Sequence, residues 1–239
     1  DAKTIWKFKN DLAETETVDK LFCMFDEHLE NKGLISHKGT IVDATFVDAP
    51  RQRNSRDENK KIKNGVIPEE WEKPENKSKL AQKDIDADWT KKNGERHFGY
   101  KDHVKCDADS KLITNYSVTS ASVHDSQRCL VFIGQEDEVL YADSAYSGKP
   151  IALALPENCK NQICEKGYRN SPLTSEQKMN NRRKSRIRCR IEQIFGFMTG
   201  AMHGITIRSI GITRAWMNIG ITNLVYNFCR YSYLKRASA

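Results

Sequence analysis

Residues 39–50 read GTIVDATFVDAP, a run of β-branched and apolar residues that a glycine opens and a proline closes. This composition predicts a β-strand over Thr40–Val47, because β-branched side chains fit the pleated surface of a sheet. One carboxylate, Asp43, interrupts the run on the face that strand alternation assigns to Ile41 and Val47. A carboxylate on such a face is partly buried, so it must be paired, protonated or bound to a metal. The alternative is an aspartate that hydrogen-bonds a neighbouring loop.

Further strands follow downstream. Residues 97–106, HFGYKDHVKC, and residues 111–119, KLITNYSVT, alternate in polarity around a DADS turn, which predicts a hairpin. In EVLYADSAYSG, residues 138–148, the segment Val139–Ala142 has the short apolar run of a central parallel strand. Asp143 stands at the carboxyl end of that strand, where open α/β sheets bind their ligands. An aspartate that caps the next helix would have the same sequence pattern.

A third carboxylate lies in a strongly basic segment. Residues 181–239 contain eleven Lys and Arg and a single acidic residue, Glu192, whereas the rest of the chain is slightly acidic. The spacing predicts a helix from Ser175 to about Met198, with Glu192 beside Arg188 at the edge of the apolar stripe. The simplest interpretation is an Arg188–Glu192 salt bridge, worth about 0.3–0.5 kcal/mol. The second interpretation is that the basic residues bind a polyanion and hold the Glu192 carboxylate beside it.

Composition narrows the class of protein. The net charge of +7 is concentrated at one end of the chain, which suggests a nucleic-acid partner, although a merely soluble basic surface is the alternative. No run of 18 apolar residues exists, so we expect no membrane span. Seven cysteines without a CxxC pair indicate free thiols in a reducing cytoplasm.

We expect the chain to divide into a helical N-terminal segment, residues 1–37, and an α/β domain, residues 38–239. Residues 11–32 carry an amphipathic helical stripe, and residues 211–234 form an apolar and aromatic closing helix. Residues 51–95 form a charged insertion after the first strand, which we expect to be a functional loop or a disordered segment. Its two tryptophans indicate that parts of it dock on the domain or on DNA.

Four blocks of the chain resemble one known family in order and spacing. They are GTIVDAT at 39–45, FGYKDH to SVHD at 98–125, LYADSAYSG at 140–148, and RIEQIFG at 190–196. Together they resemble the IS-five group of insertion-sequence DDE transposases, and the likeness extends over about residues 4–234. The resemblance implies an α/β fold, a ribonuclease-H-like mixed sheet flanked by helices, with helical extensions at both ends.

The resemblance also implies site residues. Asp43, Asp143 and Glu192 match the catalytic, metal-binding triad of the family, with two Mg²⁺ ions as cofactors and Mn²⁺ as a possible substitute. Carboxylate oxygens suit Mg²⁺, and a pair of ions about 3.5–4 Å apart stabilises phosphodiester displacement. Two positions depart from the family signature around the glutamate: Ser185 stands in place of a tyrosine and Thr199 in place of a lysine.

Further residues surround the triad. Arg188 matches the signature arginine, and His124 and Asp125 match a family block whose side chains would support the ligands rather than bind metal directly. The basic residues that we expect to grip phosphates are Arg182, Arg183, Lys184, Arg186 and Arg190.

The function that the resemblance implies is DNA transposition. Water would cut the phosphodiester at the terminal inverted repeats of an element, and the released 3′-hydroxyl would attack target DNA. The implied partners are double-stranded DNA and a second copy of the chain, as a homodimer in the prokaryotic cytoplasm, associated with the nucleoid. Two alternatives stay open: a catalytically silent, domesticated DNA-binding relative, and a metal-dependent nuclease without strand transfer.

Overall fold

A computed structural model describes residues 1–92, 94–204 and 206–237. The strands in this part of the chain are β1 (Thr40–Asp48), β2 (Asp88–Lys92), β3 (Glu95–Asp107), β4 (Ile113–Ser120), β5 (Val139–Tyr141) and β6 (Lys160–Asn161). The helices are α1 (Ala2–Glu14), α2 (Thr17–Asn31), α3 (Arg56–Lys63), α4 (Glu69–Glu72), α5 (Lys77–Leu80), α6 (Ser126–Phe132), α7 (Lys149–Ala154), α8 (Ser175–Arg188), α9 (Arg190–Gly200) and α10 (Ile212–Ala237).

The strands form one mixed sheet in the order β2-β3-β1-β5-β6, with β4 also paired to β3. The pairs among β1 to β4 are antiparallel, whereas β5 is parallel to β1 and β6 is parallel to β5. An antiparallel meander followed by strands parallel to the first is the expected ribonuclease-H-like topology. The predicted α/β class, with a mixed sheet flanked by helices, is therefore confirmed.

Both faces of β1 are covered, which is why its sequence is almost continuously apolar. Ile41 and Val47 are buried against α9 and α10, and Val42 is buried against α6 and α7 on the opposite face. Asp43 therefore lies on the α9 side of the sheet, as strand alternation predicted.

The charged insertion is more ordered than its composition predicted. It contains three short helices, and its last part, β2, joins the sheet beside β3. The expectation of a disordered segment was wrong, because these residues form short helices and the Trp71 side chain is fully buried among them. The expectation of a functional segment stays a prediction. Trp89 packs on Phe98 of β3, so both tryptophans dock on protein.

Strand β3 is long enough to pair with β2 along its first half and with β4 along its second half. The change of partner occurs at Gly99, whose backbone has a φ of +147°. A side chain there would collide with the carbonyl oxygen of Val47 on β1. Only glycine permits this close approach of the two strands.

The helical predictions need two corrections. The N-terminal helix is two helices, because Glu16 adopts a left-handed conformation (φ 52°) between α1 and α2. The long basic helix is also divided, into α8 and α9, at a tight turn where the Glu192 amide donates to the Cys189 carbonyl at 3.1 Å. The predicted closing helix is present as α10. Among the described residues, no helix combines the length and apolar character needed to cross a membrane.

Candidate active site

Asp43 lies on β1, and Asp143 lies two residues beyond the end of the neighbouring parallel strand β5. In the β1–β5 register, Ile41 stands opposite Tyr141. Continuing this register by two residues brings Asp43 beside Asp143. Asp143 also accepts a hydrogen bond from the Ala145 amide at 2.7 Å, so it caps the turn that follows β5 as well as facing its neighbour. The helix-cap alternative and the site prediction are thus compatible.

Arg188 connects the first strand to the basic helices. One guanidinium nitrogen, Nη1, donates to Asp43 Oδ2 at 2.8 Å, and the other, Nη2, donates to Glu192 Oε1 at 2.8 Å. The Arg188–Glu192 salt bridge that the sequence allowed is present, but the same arginine also reaches a buried carboxylate on β1. Arg188 therefore brings Asp43 and Glu192 to one place.

Burial controls the charge of Asp43. The pKa of Asp43 is raised to about 6, chiefly because burial disfavours its charged form; the nearby Asp143 carboxylate adds to the rise, while the Ala44 amide and Arg188 oppose it. The Glu192 side chain is 57% exposed, so it remains in contact with solvent. The cluster thus combines one buried, one half-buried and one exposed carboxylate.

These residues suit a hard divalent cation, because all three side chains offer only carboxylate oxygens. Within the described residues, however, the group with donor atoms within 4.8 Å of one another is His37, Glu136 and Asp137. The three predicted ligands are farther apart, since the Arg188 guanidinium stands between Asp43 and Glu192. Metal binding therefore requires Arg188 to release at least one of its partners.

The His37 cluster was not predicted, and its contacts explain it without a metal. Asp137 accepts hydrogen bonds from Lys105 Nζ at 2.9 Å and from the Thr40 hydroxyl at 2.7 Å. Lys105 also lies 3.6 Å from Glu136. The lysine ammonium already supplies the positive charge that a cation would bring, so this cluster is an ion-pair network that anchors the start of β1.

His124 and Asp125 lie apart from the ligand contacts. Asp125 forms a buried ion pair with Lys101 Nζ at 2.7 Å, and its side chain makes no capping hydrogen bond to α6. His124 pairs through Nδ1 with the Ser126 hydroxyl at 2.8 Å. Both side chains therefore shape the loop before α6.

The five predicted phosphate-binding residues divide into two groups. Lys184 donates to the Ile163 carbonyl at 2.9 Å, and Arg190 donates to the Ala108 carbonyl at 2.7 Å, so both tie helices to the domain. The side chains of Arg182, Arg183 and Arg186 are exposed, and no hydrogen bond or ion pair holds them among the described residues. Only this second group presents free guanidinium groups.

The two departures from the family signature have local partners. Ser185 Oγ lies 3.8 Å from Cys164 Sγ, and the Thr199 hydroxyl donates to the Phe195 carbonyl at 2.9 Å within α9. Neither side chain carries a charge that could contact phosphate. Sequence reasoning missed Tyr146, which is buried three residues after Asp143 with no hydrogen bond to its hydroxyl among the described residues. Desolvation and the Asp43 carboxylate raise the pKa of this phenol.

Comparison with known proteins identifies related chains. The family model described as "Transposase DDE domain" matches residues 35–228. The chain is also 30% identical over 199 residues to "Transposase for insertion sequence element IS1106" of Neisseria meningitidis serogroup B. That match covers 80% of this chain, and the chain spans 64% of the length of the relative. No solved structure matches significantly.

Proposed function

The chain belongs to the transposase DDE domain family, and we propose that it is the catalytic part of a DNA transposase. The reaction is hydrolysis of the phosphodiester at each end of a mobile element, followed by attack of the released 3′-hydroxyl on target DNA. One observation supports this proposal most: in a member of this family, Arg188 joins a buried aspartate on β1 to a glutamate on α9, and the β1–β5 register adds a second aspartate.

Asp43, Asp143 and Glu192 would hold the divalent cations through their carboxylate oxygens. When bound, Mg²⁺ or Mn²⁺ activates water and stabilises the leaving oxygen. Asp43 must lose its proton to act as a ligand, so the site works above the raised pKa of this residue, about 6. Arg188 neutralises Asp43 and Glu192 until they take up metal.

The exposed arginines of α8 supply the grip on the substrate. Arg182, Arg183 and Arg186 lie on the helix that ends at Arg188, so phosphates bound to this helix lie close to the carboxylates. Backbone contacts of this kind position a duplex without reading its sequence. Since transposition joins two DNA ends to one target, we further propose that the active species is a homodimer.

The experiment is a cutting and joining assay on a duplex that carries the terminal repeats of the element. We expect Asp43→Asn, Asp143→Asn and Glu192→Gln each to lower Mg²⁺-dependent cutting at least about a hundredfold. Asp57→Asn, on the exposed surface of α3, is the matched control. Circular dichroism establishes that each variant is folded. Cutting that survives in all three variants would refute the triad.

A pre-cut DNA end separates the alternatives. A transposase joins this end to a target plasmid in the presence of Mg²⁺, whereas a nuclease cuts intact ends but does not join. A catalytically silent relative binds the DNA and does neither, and titration calorimetry would detect no Mg²⁺ or Mn²⁺ binding to it.

A further inference from the structure

An open cavity of about 670 Å³ lies at the carboxyl end of β1, outside the carboxylate cluster. It is enclosed by the residues that follow β1, by the end of the insertion and by the segment before α10. Its charged lining residues are Arg51, Lys79, Lys83, Asp84 and Arg208. Four of these five side chains are cationic.

The single acid in the cavity is already engaged elsewhere. Asp84 is 4% exposed, and its two carboxylate oxygens accept the Tyr100 hydroxyl at 2.8 and 2.7 Å. One of these oxygens also accepts the backbone amides of Asp86 and Ala87 at 3.1 Å. Asp84 therefore faces the protein interior, and it contacts none of the four cations.

The cations themselves differ in how firmly they are held. Lys79 pairs with Glu58 at 3.3 Å, which neutralises it. Lys83 donates only to uncharged oxygens, the Arg53 carbonyl at 3.0 Å and Asn54 Oδ1 at 2.5 Å. Three positive charges in the cavity thus lack an acidic partner among the described residues, namely those of Lys83, Arg51 and Arg208.

The two arginines are the most available. The Arg51 guanidinium lies 5.8 Å from the centre of the Trp89 ring, which orients it without neutralising it. Arg208 is exposed and has no hydrogen bond or ion pair in the described part of the chain. Guanidinium groups bind phosphate through paired N–H donors, so the site suits phosphate oxygens better than an ammonium would.

A neutral acceptor completes the lining. Gln52 Oε1 is buried beside the cavity and has no hydrogen-bond donor within the described residues. The cationic side chains are therefore the groups in this cavity that suit the phosphate oxygens of a nucleic-acid strand.

The position of the cavity relates it to the carboxylates. Arg51 follows the same strand that carries Asp43, roughly 25 Å farther along an extended chain. The cavity shares Arg208 and Ser209 with a second cleft, which is also lined by Lys9 and Arg214. The second cleft in turn shares Thr206 with a third cleft. This third cleft lies along the flank of α9 that carries Phe195 and Thr199. Glu192 lies on this same flank, because a helix turns about 100° per residue.

We propose that the cavity at Arg51 and Arg208 binds the DNA backbone beyond the bond to be cut. At 3.4 Å per base pair, 25 Å corresponds to about seven base pairs from the carboxylates. The inference rests on the proposed function for the identity of the substrate. The proposal gives the insertion a role in DNA binding, because the insertion supplies Lys79 and Lys83 to the cavity and Trp89 to the contact with Arg51.

The test compares two double variants of the full chain, Arg51→Gln with Arg208→Gln, and Lys32→Gln with Lys38→Gln. The second pair removes the same charge from exposed lysines near the opposite end of β1. Affinity for a fluorescent duplex of about 40 base pairs and random sequence is measured as a function of salt. The arginine pair should lose about tenfold in affinity and reduce the salt slope by about 2, and the lysine pair should change neither.

Cutting rates measured at saturating DNA keep this test separate from that of the proposed function. The arginine variant should cut at the wild-type rate once it is saturated, because its carboxylates are intact. An unchanged salt slope in a chain that cuts DNA normally would overturn the cavity proposal alone. A reduced slope in a chain that never cuts would support the cavity and contradict the proposed catalysis. Equal losses in both double variants would show general charge attraction, and they would overturn the assignment of this cavity.

Discussion

At the scale of single residues, Arg188 decides the state of the carboxylate cluster. Its guanidinium donates to Asp43 and Glu192 at 2.8 Å each, and it is mostly buried. Three carboxylates without counter-ions would repel one another, and an arginine is always charged. Arg188 therefore supplies the positive charge that pairs with Asp43 and Glu192, and the proposed metal binding by all three carboxylates would require this side chain to move.

The raised pKa of Asp43 leads to a prediction for metal affinity. A proton on Asp43 competes with a cation, and the pKa of this residue is about 6. We expect Mn²⁺ affinity to be constant above pH 7 and to fall about tenfold per pH unit well below pH 6. Calorimetric titration at several pH values measures this. Asp43→Asn should abolish the dependence together with most of the binding, and a wild-type midpoint near pH 4 would contradict it.

A second buried acid lies under α10. Asp102 is fully buried, and burial raises its pKa to about 8. Its Oδ1 accepts from Asn223 Nδ2 at 3.2 Å, while Asp102 Oδ2 and Asn223 Oδ1 are acceptors with no donor among the described residues. One proton on Asp102 would satisfy both atoms, because the carboxylic acid would then donate to the amide oxygen. We infer that Asp102 is protonated at neutral pH.

This state predicts how stability changes with pH. The folded protein holds a proton that the unfolded chain releases near pH 4, so the stability from Asp102 is complete below pH 4 and is lost as pH rises to about 8. Asp102→Asn keeps a donor and carries no charge. We expect it to be more stable than the wild type by about 2 kcal/mol or more at pH 9, and by much less at pH 5. Urea unfolding measures both, and parallel pH profiles would contradict the inference.

At the scale of elements, the charged insertion folds around one tryptophan. Trp71 is fully buried, and its indole N–H donates to Glu58 Oε1 at 2.7 Å. The ammonium groups of Lys79 and Lys83 lie 5.3 and 5.2 Å from the centre of its ring. Trp71 therefore connects α3 with α5 inside the insertion, and the insertion is attached to the sheet through β2.

Removal of this side chain should unfold the insertion locally. Trp71→Ala removes this buried indole, and truncating a buried tryptophan to alanine lowers the free energy of unfolding by about 3–5 kcal/mol. We expect protease cleavage within residues 56–80 at a rate at least about tenfold higher, while β1 and β3 keep their protection against hydrogen exchange. Trp6→Ala is the control, since Trp6 is 60% exposed on α1. Global unfolding of Trp71→Ala would show that the insertion is part of the main core.

At the scale of the whole molecule, charge is distributed unevenly. Residues 181–239 contain eleven basic residues and one acidic residue, but the structure gives these cations different tasks. Lys184 and Arg190 hold backbone carbonyls at 2.9 and 2.7 Å, whereas Arg182, Arg183 and Arg186 are exposed. The basic surface available to the proposed DNA substrate is therefore smaller than the formal charge indicates.

The division between these cations can be tested by neutralising two of the exposed arginines. Arg182→Gln with Arg183→Gln should weaken duplex binding and reduce the salt slope by about 2, because each arginine contacts about one phosphate. Lys184→Gln should leave the slope nearly unchanged and lower the melting temperature, because it frees the Ile163 carbonyl. Filter binding over a range of salt concentrations and thermal unfolding measure the two effects. A slope that falls equally in both variants would contradict the division.

The amino-acid sequence by itself predicted the strands β1, β3, β4 and β5, the aspartates on or after two of them, and the class of fold. Alternation in GTIVDATFVDAP and the apolar run before Asp143 are short-range patterns, and the backbone geometry of a strand converts each directly into a buried face. The same holds for the hairpin of β3 and β4, whose turn lies between its strands. The family resemblance then placed Glu192 with the two aspartates.

Only the tertiary structure decided which partners these side chains meet. Arg188 binds Asp43 across 145 residues of sequence, β2 of the insertion joins the sheet, and Lys184 is turned towards a carbonyl rather than solvent. Local sequence patterns do not predict such contacts, because each contact depends on how distant elements pack. Packing also determines which buried polar groups still need a hydrogen-bond partner. The sequence therefore predicted the candidate carboxylates Asp43, Asp143 and Glu192. Packing decided the burial of Asp43, the choice of Arg188 as counter-ion and which basic side chains remain exposed near them.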